Sequence, residues 1–264
     1  MDFHVTYIGT ATMLLEIDGL RLVTDPVFDP AGSEYRIGKT RLARYINLDG
    51  PAVEADALGP IDAVLLSHDQ HRDNLDRRGR ELVKDAPRTL TTPEGAGRLA
   101  RHDGERATGL RPFEQTVLRA PSGLEVRITG MPARHGPPGT EWLTGTVTGF
   151  LLEWEGQREG GVYISGDTRY FQGIHDIAAR TEIGTCFIHA GSGCFPATGP
   201  IRYSMDGAEV RRTVETLRPA RVVPIHFEGW SHFSEDPNEL REALRATTHD
   251  VRWLPLGKRV ALPA

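Results

Sequence analysis

Three short apolar segments open the chain, and the first of them alternates with the two-residue period of a half-buried β-strand. They cover residues 3–9, 12–17 and 20–24. Asp18-Gly19, between the second and third segments, is typical of a tight hairpin turn. The pattern therefore predicts a three-stranded meander that ends at Asp25-Pro26, followed by loop-like residues to about position 60.

Further along the chain, apolar runs alternate with segments of helical periodicity. We predict strands at 61–66, 115–119, 124–130, 145–155, 162–165, 184–188, 221–225, 251–254 and 259–262. We predict helices at 76–84, 94–102, 172–181, 206–218 and 237–246. The order is mostly β at first and then alternates between β and α, which indicates one sandwich-like α/β domain rather than two domains.

Composition narrows the class of protein. The 264 residues include 29 glycines and 18 prolines, a content that suits many short strands better than a helical bundle. A balance of 31 basic and 36 acidic residues excludes a general binder of the phosphate backbone, so we expect no nucleic-acid partner. No run approaches 18 apolar residues and no signal peptide is visible, so we predict a cytoplasmic protein without a membrane span.

Histidine and aspartate residues follow four of the predicted strands, at the points where these strands end. Strand ends on one edge of an α/β sheet are where ligands usually bind. Imidazole and carboxylate groups suit zinc, and also manganese or iron, and the lack of thiolates argues against a purely structural zinc. The residues exceed the needs of one tetrahedral ion, so two ions bridged by a carboxylate become plausible. The residues are His68, His71, Asp73, His135, Asp167 and His226.

Each of these residues also has a simpler interpretation. A histidine after a strand is more often a hydrogen-bonded loop residue, Asp167 could cap a turn, and Asp73 could cap the helix that begins near Asp76. Independent coincidences at four strand ends are harder to accept than one shared site.

The sequence resembles the metallo-β-lactamase superfamily of hydrolases, and within it the branch of L-ascorbate-6-phosphate lactonases and N-acyl-phosphatidylethanolamine phospholipase D. Five motifs in order carry the resemblance, which runs from about residue 3 to residue 260. They are segments 7–17 with 24–28, Ser67-His68-Asp69, Pro132-Ala133-Arg134-His135, Ser165-Gly166-Asp167-Thr168 and Pro224-Ile225-His226. The resemblance implies an αββα sandwich, as a single hydrolase domain over residues 1–264, with a metal site at one edge of the two sheets.

The signature His-x-His-x-Asp-His of this superfamily is altered here. The chain reads His68-Asp69-Gln70-His71-Arg72-Asp73-Asn74, with one additional residue between the paired histidines. We match His68 and His71 to that pair and Asp73 to the aspartate, which leaves Asn74 in place of the last histidine. Gln70 takes the second histidine position if the register is read without an insertion. Thr10 is a second departure, because the branch often has a histidine there.

By this resemblance a first ion takes His68, His71 and His135, a second takes Asp73 and His226, and Asp167 is shared. Asn74 can offer only a neutral carbonyl oxygen, a poorer ligand for zinc than for manganese or magnesium, so the second site is expected to be weak, to hold a harder ion or to be empty. We expect one or two Zn²⁺ ions, with Mn²⁺ as the alternative. Asp73 and Asp167 are the candidate catalytic residues, and Asp73 could orient a water molecule or carry its proton if it is not a ligand.

Residues near these motifs are candidates for substrate contact or for support of the ligands. Asp69 and Thr168 are the nearest partners for the histidines by sequence, and Arg134 could meet a carboxylate or phosphate. His189 could face the metals or bind an anion, or be an ordinary loop residue. Trp230 and His232 could contact substrate or belong to a packed loop. The full set is Asp69, Gln70, Asn74, Arg134, Thr168, His189, Trp230 and His232.

These features predict a metal-dependent hydrolase in which a metal-bound hydroxide cleaves an ester, lactone or phosphoester bond of a small molecule. The alternative, which Asn74 supports, is a non-catalytic or altered-chemistry member of the fold with a weakened second metal site, which binds a ligand or serves a biosynthetic step. A nuclease is disfavoured by the net charge of −5. A homo-oligomer is expected by analogy alone.

Overall fold

The computed structural model describes residues 3–36, 44–103, 106–195 and 198–263. Within these ranges the strands are β1 (Phe3–Gly9), β2 (Thr12–Ile17), β3 (Leu20–Thr24), β4 (Glu34–Arg36), β5 (Arg44–Ile46), β6 (Ala63–Leu65), β7 (Thr89–Thr91), β8 (Ala107–Gly109), β9 (Gln115–Arg119), β10 (Glu125–Pro132), β11 (Thr148–Trp154), β12 (Gly161–Ile164), β13 (Ile183–His189), β14 (Arg221–Ile225), β15 (Asp250–Val251) and β16 (Arg259–Ala261). The helices are α1 (Arg77–Asp85), α2 (Pro93–Asp103), α3 (Glu141–Thr144), α4 (Gln172–Ala178), α5 (Gly207–Leu217) and α6 (Pro237–Arg245), with a short 3₁₀ helix at Ala55–Ala57.

Two seven-stranded sheets face each other through a shared hydrophobic core. The first has the order β16-β1-β2-β3-β6-β7-β8 and the second the order β15-β14-β13-β12-β11-β10-β9. Leu15 and Leu65 of the first sheet pack in the same buried cluster as Phe150 and Val223 of the second. Because alternate side chains of a strand point to opposite faces, the other faces of both sheets remain for the helices to cover.

Helices form the two outer layers. Val83 of α1 and Leu99 of α2 pack on Val64 of the first sheet. Ile174 of α4, Val210 and Val214 of α5 and Leu240 of α6 join the cluster beneath the second sheet. The molecule is therefore an α/β/β/α sandwich, and the predicted fold class is confirmed. No helix in the described part of the chain is long and apolar enough to cross a membrane.

The sequence pattern predicts the longer elements well and misses several short ones. The meander of β1, β2 and β3 is present, with Val5 opposite Leu15 and Leu15 opposite Leu22. Asp206 caps α5 as expected and accepts the backbone N–H of Glu209. The elements β4, β5, β7, β8 and α3 were not predicted, because three or four residues are too few to show a hydrophobic period.

Strand direction brings the chemistry-bearing loops to one edge. Strands β12, β13 and β14 are mutually parallel, and β10 runs in the same direction because it is antiparallel to β11, which is antiparallel to β12. These four strands therefore all end at the same edge of the second sheet. Parallel strands of an open sheet commonly deliver ligand-binding residues at this edge.

Candidate metal centre

Both sheets contribute side chains to one cluster of histidines and aspartates. His68, His71 and Asp73 follow β6 of the first sheet. The remaining side chains lie at the ends of β10, β12, β13 and β14 of the second sheet. Every member is buried except His71, which is half-buried. Two compact groups of metal-ligating atoms lie here, one formed by His68, His71 and His135, the other by Asp167, His189 and His226.

The three histidines of the first group direct ring nitrogens at one another. His71 Nδ1 lies 3.1 Å from His68 Nε2 and 2.9 Å from His135 Nε2. Nitrogens bound to one tetrahedral zinc at about 2.1 Å are separated by about 3.4 Å, so this spacing is close to that of a ligand set. His135 Nε2 also lies 3.9 Å from Asp167 Oδ2, which makes that carboxylate available as a fourth oxygen ligand.

The tautomer of His135 is fixed by the backbone. Its Nδ1–H donates to the carbonyl oxygen of Tyr203 at 2.7 Å, and a carbonyl can only accept, so the lone pair of the neutral ring is on Nε2. His68 is held in a similar way, because its Nδ1 lies 2.9 Å from Ser67 Oγ. Such outer contacts orient the histidine ligands of metal sites. The residues in this role are Ser67 and Tyr203, and nothing in the sequence pattern pointed to them.

Asp167 and Asp73 lie on either side of His226. Asp167 Oδ1 is 3.3 Å from His226 Nδ1, and Asp73 Oδ2 is 3.6 Å from His226 Nε2. Neither ring nitrogen of His226 has a hydrogen-bond partner of good geometry, although the ring is buried. Buried polar atoms are normally satisfied. An unsatisfied imidazole nitrogen beside a carboxylate fits a divalent cation, which the nitrogen could bind together with a carboxylate oxygen.

His189, a member of the second group, and His232, which lies beside it, each contact one of these carboxylates. His189 Nδ1 lies 2.9 Å from Asp167 Oδ1, and its Nε2 has no partner. His232 Nε2 lies 3.0 Å from Asp73 Oδ2. The carboxylates of Asp167 and Asp73 are thus each in contact with more than one imidazole.

The protonation states favour metal binding at the first group. Burial lowers the pKa of His68 well below its usual value, and charge repulsion from His71 and His135 acts in the same direction. Burial, with repulsion from His135, lowers the pKa of His71 to about 4. Both rings are therefore neutral at pH 7, which is the form that coordinates a metal.

The second group has the opposite electrostatics. Burial alone would lower the pKa of His226, but the charges of Asp167 and Asp73 outweigh it and raise that pKa to about 9. Burial would raise the pKa values of Asp73 and Asp167, but their histidine neighbours hold both well below the usual range. In the metal-free protein His226 is therefore a cation between two anions, and a divalent ion would replace its proton.

His226 also has an unusual backbone conformation. Its φ is +57°, in the left-handed region that residues other than glycine and asparagine seldom adopt. The backbone N–H of His226 donates to the carbonyl oxygen of Thr10 at 2.8 Å, which holds this turn in place. Thr10, the position where the sequence departs from the related branch, thus contacts the site through its main chain.

The altered signature can now be placed in space. His71, and not Gln70, meets His68 and His135, while Gln70 packs beside Gly145. Asn74 is fully buried, and its side-chain N–H₂ lies 3.3 Å from Asp25 Oδ2. Asn74 is therefore oriented towards Asp25.

Three other candidates have partners outside the cluster. Asp69 forms a bidentate ion pair with Arg98: Nη2 of Arg98 donates to Oδ1 at 2.6 Å, and Nε donates to Oδ2 at 2.9 Å. Thr168 Oγ1 accepts the backbone N–H of Arg134 at 2.9 Å. The guanidinium of Arg134 lies 5.1 Å above the Phe171 ring. These three residues support the surrounding loops and do not contact the ligand histidines through any bond the structure shows.

A cavity of about 550 Å³, which includes its open mouth, lies over the two groups. Its floor includes His71, Asp73 and His226, and its walls include Tyr45, Phe195, Tyr203 and Phe233. Trp230 packs behind this wall against Tyr45, with ring centroids 5.5 Å apart. Sequence reasoning missed Tyr45, Phe195 and Tyr203, because they lie in short strands and loops without a periodic pattern.

The sandwich fold and the histidine–aspartate cluster at its edge define a metallo-β-lactamase-type hydrolase. The profile of the "Beta-lactamase superfamily domain" matches residues 20–227. The chain belongs to this superfamily, and the prediction of a metal-dependent hydrolase with this fold is confirmed at that level. The narrower resemblance to the lactonase and phospholipase D branch stays a prediction.

Several known proteins are similar to this chain over most of its length. A protein of Deinococcus radiodurans named UPF0173 metal-dependent hydrolase is 31% identical over 205 residues, which cover 76% of this chain and 80% of the relative. A Methanopyrus kandleri protein of the same name is 25% identical over 253 residues, 94% of each chain. Among solved structures, isothiocyanate hydrolase from Delia radicum gut bacteria superposes with a TM-score of 0.79 at 22% identity, over 99% of both chains.

Proposed function

We propose that this protein, with residues 1–264 as a single hydrolase domain, uses one or two divalent cations, Zn²⁺ or Mn²⁺, to hydrolyse a small molecule at an ester, lactone or phosphoester bond. The observation that carries the proposal is the convergence of two groups of buried imidazole and carboxylate groups, with unsatisfied ring nitrogens, on the floor of one cavity.

In this proposal His68, His71 and His135 hold the first cation, Asp73 and His226 hold the second, and Asp167 lies between them. When bound, such cations lower the pKa of water to about 7 and polarise a carbonyl or phosphoryl oxygen. The protein supplies rigid ligands, because Ser67 and the carbonyl oxygen of Tyr203 fix the rings of the first group.

The cavity favours an uncharged substrate. Tyr45, Phe195, Tyr203 and Phe233 offer aromatic surface above the cluster, and no lysine or arginine lines the cavity among the residues that the structure describes. Aromatic walls bind an apolar group and exclude water from the reacting bond. We therefore favour an ester or lactone over a phosphoester, whose charge would meet no cationic side chain in the described lining beside the proposed metal ions.

A similar fold gives a further candidate. The isothiocyanate hydrolase that superposes on this chain acts, by its name, on a small uncharged electrophile. The likeness concerns the fold, whereas the aromatic cavity is an observation on this chain and fits such a substrate equally well. An isothiocyanate therefore belongs in the substrate panel, beside the carboxylic esters.

The test is a hydrolysis screen of metal-loaded protein with p-nitrophenyl butyrate, a γ-lactone, benzyl isothiocyanate and bis(p-nitrophenyl) phosphate. We expect turnover of an uncharged substrate and loss of that turnover in His68→Ala. The control is His249→Ala, which should keep the activity because His249 is hydrogen-bonded to the carbonyl oxygen of Pro219 and not to the cluster. Equal turnover in wild type and His68→Ala would show that the cluster is not the reactive site. Turnover of the phosphodiester alone would contradict the preference for uncharged substrates.

A further inference from the structure

The second group lacks one imidazole compared with the signature that the sequence resembles, because Asn74 stands at that position. In the structure the hydrogen bonds of the Asn74 amide nitrogen are made with Asp25 and Ser67. Its amide nitrogen faces Asp25 Oδ2 at 3.3 Å, and its side chain is fully buried there. The pair formed by Asp73 and His226 would then have no second imidazole from the loop that carries Asp73 and Asn74.

His232 comes to the same place from a different part of the chain. Its Nε2 lies 3.0 Å from Asp73 Oδ2, the carboxylate oxygen that is 3.6 Å from His226 Nε2. One oxygen of Asp73 is thus flanked by two imidazole nitrogens, and all three side chains line the floor or wall of one cavity. Imidazole nitrogens and carboxylate oxygens are the donor types of a mixed imidazole–carboxylate metal site.

The ring of His232 is held firmly. It stacks on Phe195 with centroids 4.8 Å apart and an interplanar angle of 9°, and the edge of Tyr45 meets it at 5.1 Å. Its carbonyl oxygen accepts the backbone N–H of Cys194 at 2.9 Å, which ties this loop to the segment after β13. A ring packed against two aromatic side chains keeps Nε2 directed at Asp73, and a preorganised ligand loses little entropy on binding a metal.

The other additional histidine has a different contact. His189 Nδ1 meets Asp167 Oδ1 at 2.9 Å, and neither His189 nitrogen is hydrogen-bonded to Asp73. His189 therefore adjoins the carboxylate that lies between the two groups, while His232 adjoins the carboxylate that needs a further imidazole.

We propose that His232 is an additional imidazole ligand of the second metal site, beside Asp73, His226 and the shared Asp167, in the role that Asn74 leaves open. The inference rests on the proposed function, since it assumes that Asp73 and His226 bind a cation. It assigns the chain a complete two-ion centre in which two ligands, His226 and His232, come from the segment after β14. It also replaces the expectation that His232 contacts substrate.

The distance of 3.0 Å also fits a hydrogen bond from His232 Nε2–H to Asp73, so the decisive measurement is the state of that nitrogen. The protein labelled with ¹⁵N-histidine is loaded with ¹¹³Cd²⁺ and examined by NMR for coupling between cadmium and each ring nitrogen. We expect two cadmium ions per chain and a ¹¹³Cd–¹⁵N coupling at His232 Nε2, with a similar coupling at His226. His232→Ala identifies the resonance of the ring.

Each other outcome overturns a defined part of the account. Two cadmium ions, with a proton on His232 Nε2 and no coupling, would refute the role of His232 and leave the proposed function intact. A single ion coupled to the first group would refute the complete second site. No bound ion would refute the proposed function together with this inference.

Zinc titration of the metal-free protein gives a second, independent readout. In His232→Ala we expect the affinity for the second ion to fall more than 100-fold, beyond the 10- to 100-fold that loss of a merely supporting partner costs. The first ion should bind within threefold of wild type, and the matched control His249→Ala should bind both ions normally. An unchanged second affinity in His232→Ala would refute the inference.

Discussion

Asp25 provides a test of the electrostatics beneath the site. Its side chain is 1% exposed, and burial, together with the charge of Asp167, raises its pKa to about 8. One carboxyl oxygen accepts the N–H of Ser67 at 2.6 Å, and the other faces the side chain of Asn74. The change Asp25→Asn introduces a neutral amide of the same shape. Its N–H₂ can face the Asn74 carbonyl oxygen, which has no partner, if the Asn74 amide turns over.

The sign of the effect follows from linkage. The ordinary pKa of 3.8 applies to the unfolded chain, so between pH 3.8 and about 8 the folded protein binds the additional proton at Asp25. The contribution of Asp25 to stability is therefore fully present below pH 3.8 and is lost as the pH rises towards 8. At about 1.4 kcal/mol per pH unit, the loss between pH 5 and pH 7 is about 3 kcal/mol.

The assay is urea unfolding of the chelator-treated protein at pH 5 and pH 7, for wild type and Asp25→Asn. Contributions of other titrating groups cancel in the difference between the two proteins. We expect the free energy of unfolding of Asp25→Asn, relative to wild type, to be about 3 kcal/mol larger at pH 7 than at pH 5, so that the variant gains relative stability. A difference that is equal at the two pH values would refute the burial argument, because Asp25 would then be ionised in the folded protein at both.

Three further predictions follow from the contacts around the site. Arg98→Ala leaves the buried carboxylate of Asp69 without its two-pronged partner, so the free energy of unfolding in urea should fall by about 2 kcal/mol, since Arg98 itself is partly exposed. Gly166→Ala places a Cβ 2.6 Å from a backbone oxygen at a φ of +62°, so we expect a loss of about 1–3 kcal/mol in urea unfolding and weaker zinc binding through the adjacent Asp167. Zinc binding to the second group at pH 7 should release about one proton more than zinc binding to the first group, because the pKa of His226 is raised to about 9. Calorimetry in buffers of different ionisation enthalpy measures this proton release.

Controls make these predictions specific. Glu81→Ala removes an exposed ion pair and should change stability by less than about 0.5 kcal/mol. Gly97→Ala adds a Cβ into open space and should not weaken zinc binding. Equal losses in Arg98→Ala and Glu81→Ala would contradict the argument from burial, and normal zinc binding in Gly166→Ala would contradict the coupling to Asp167. Equal proton release at both groups would contradict the raised pKa of His226.

The positions that line the edge of the second sheet could be predicted from the sequence. Apolar runs long enough to be recognised as strands are followed directly by His135, Asp167 and His226, and the strand direction brings them together. A sandwich-like α/β domain was predictable for the same reason, because the longer strands and helices carry their periodicity in their own residues, whereas the αββα order of layers was implied by the family resemblance.

Long-range contacts could not be predicted in this way. Asp73 and His232 lie 159 residues apart, and the sequence around neither residue indicates that their side chains are in contact. Tyr45 reaches the cavity from a three-residue strand, which is too short to show a hydrophobic period. Asn74 was identified as a departure, but its orientation towards Asp25 depends on tertiary packing that a linear pattern does not encode.

The central claim, that a metal centre at this sheet edge carries the chemistry, is tested most directly by the metal content of each chain. Elemental analysis of zinc-loaded protein after removal of free ions would compare wild type with His68→Ala and His226→Ala. The account predicts two ions per wild-type chain and one in each variant, because each change removes a ligand from a different group. No ion in wild type, or the same content in all three proteins, would contradict it.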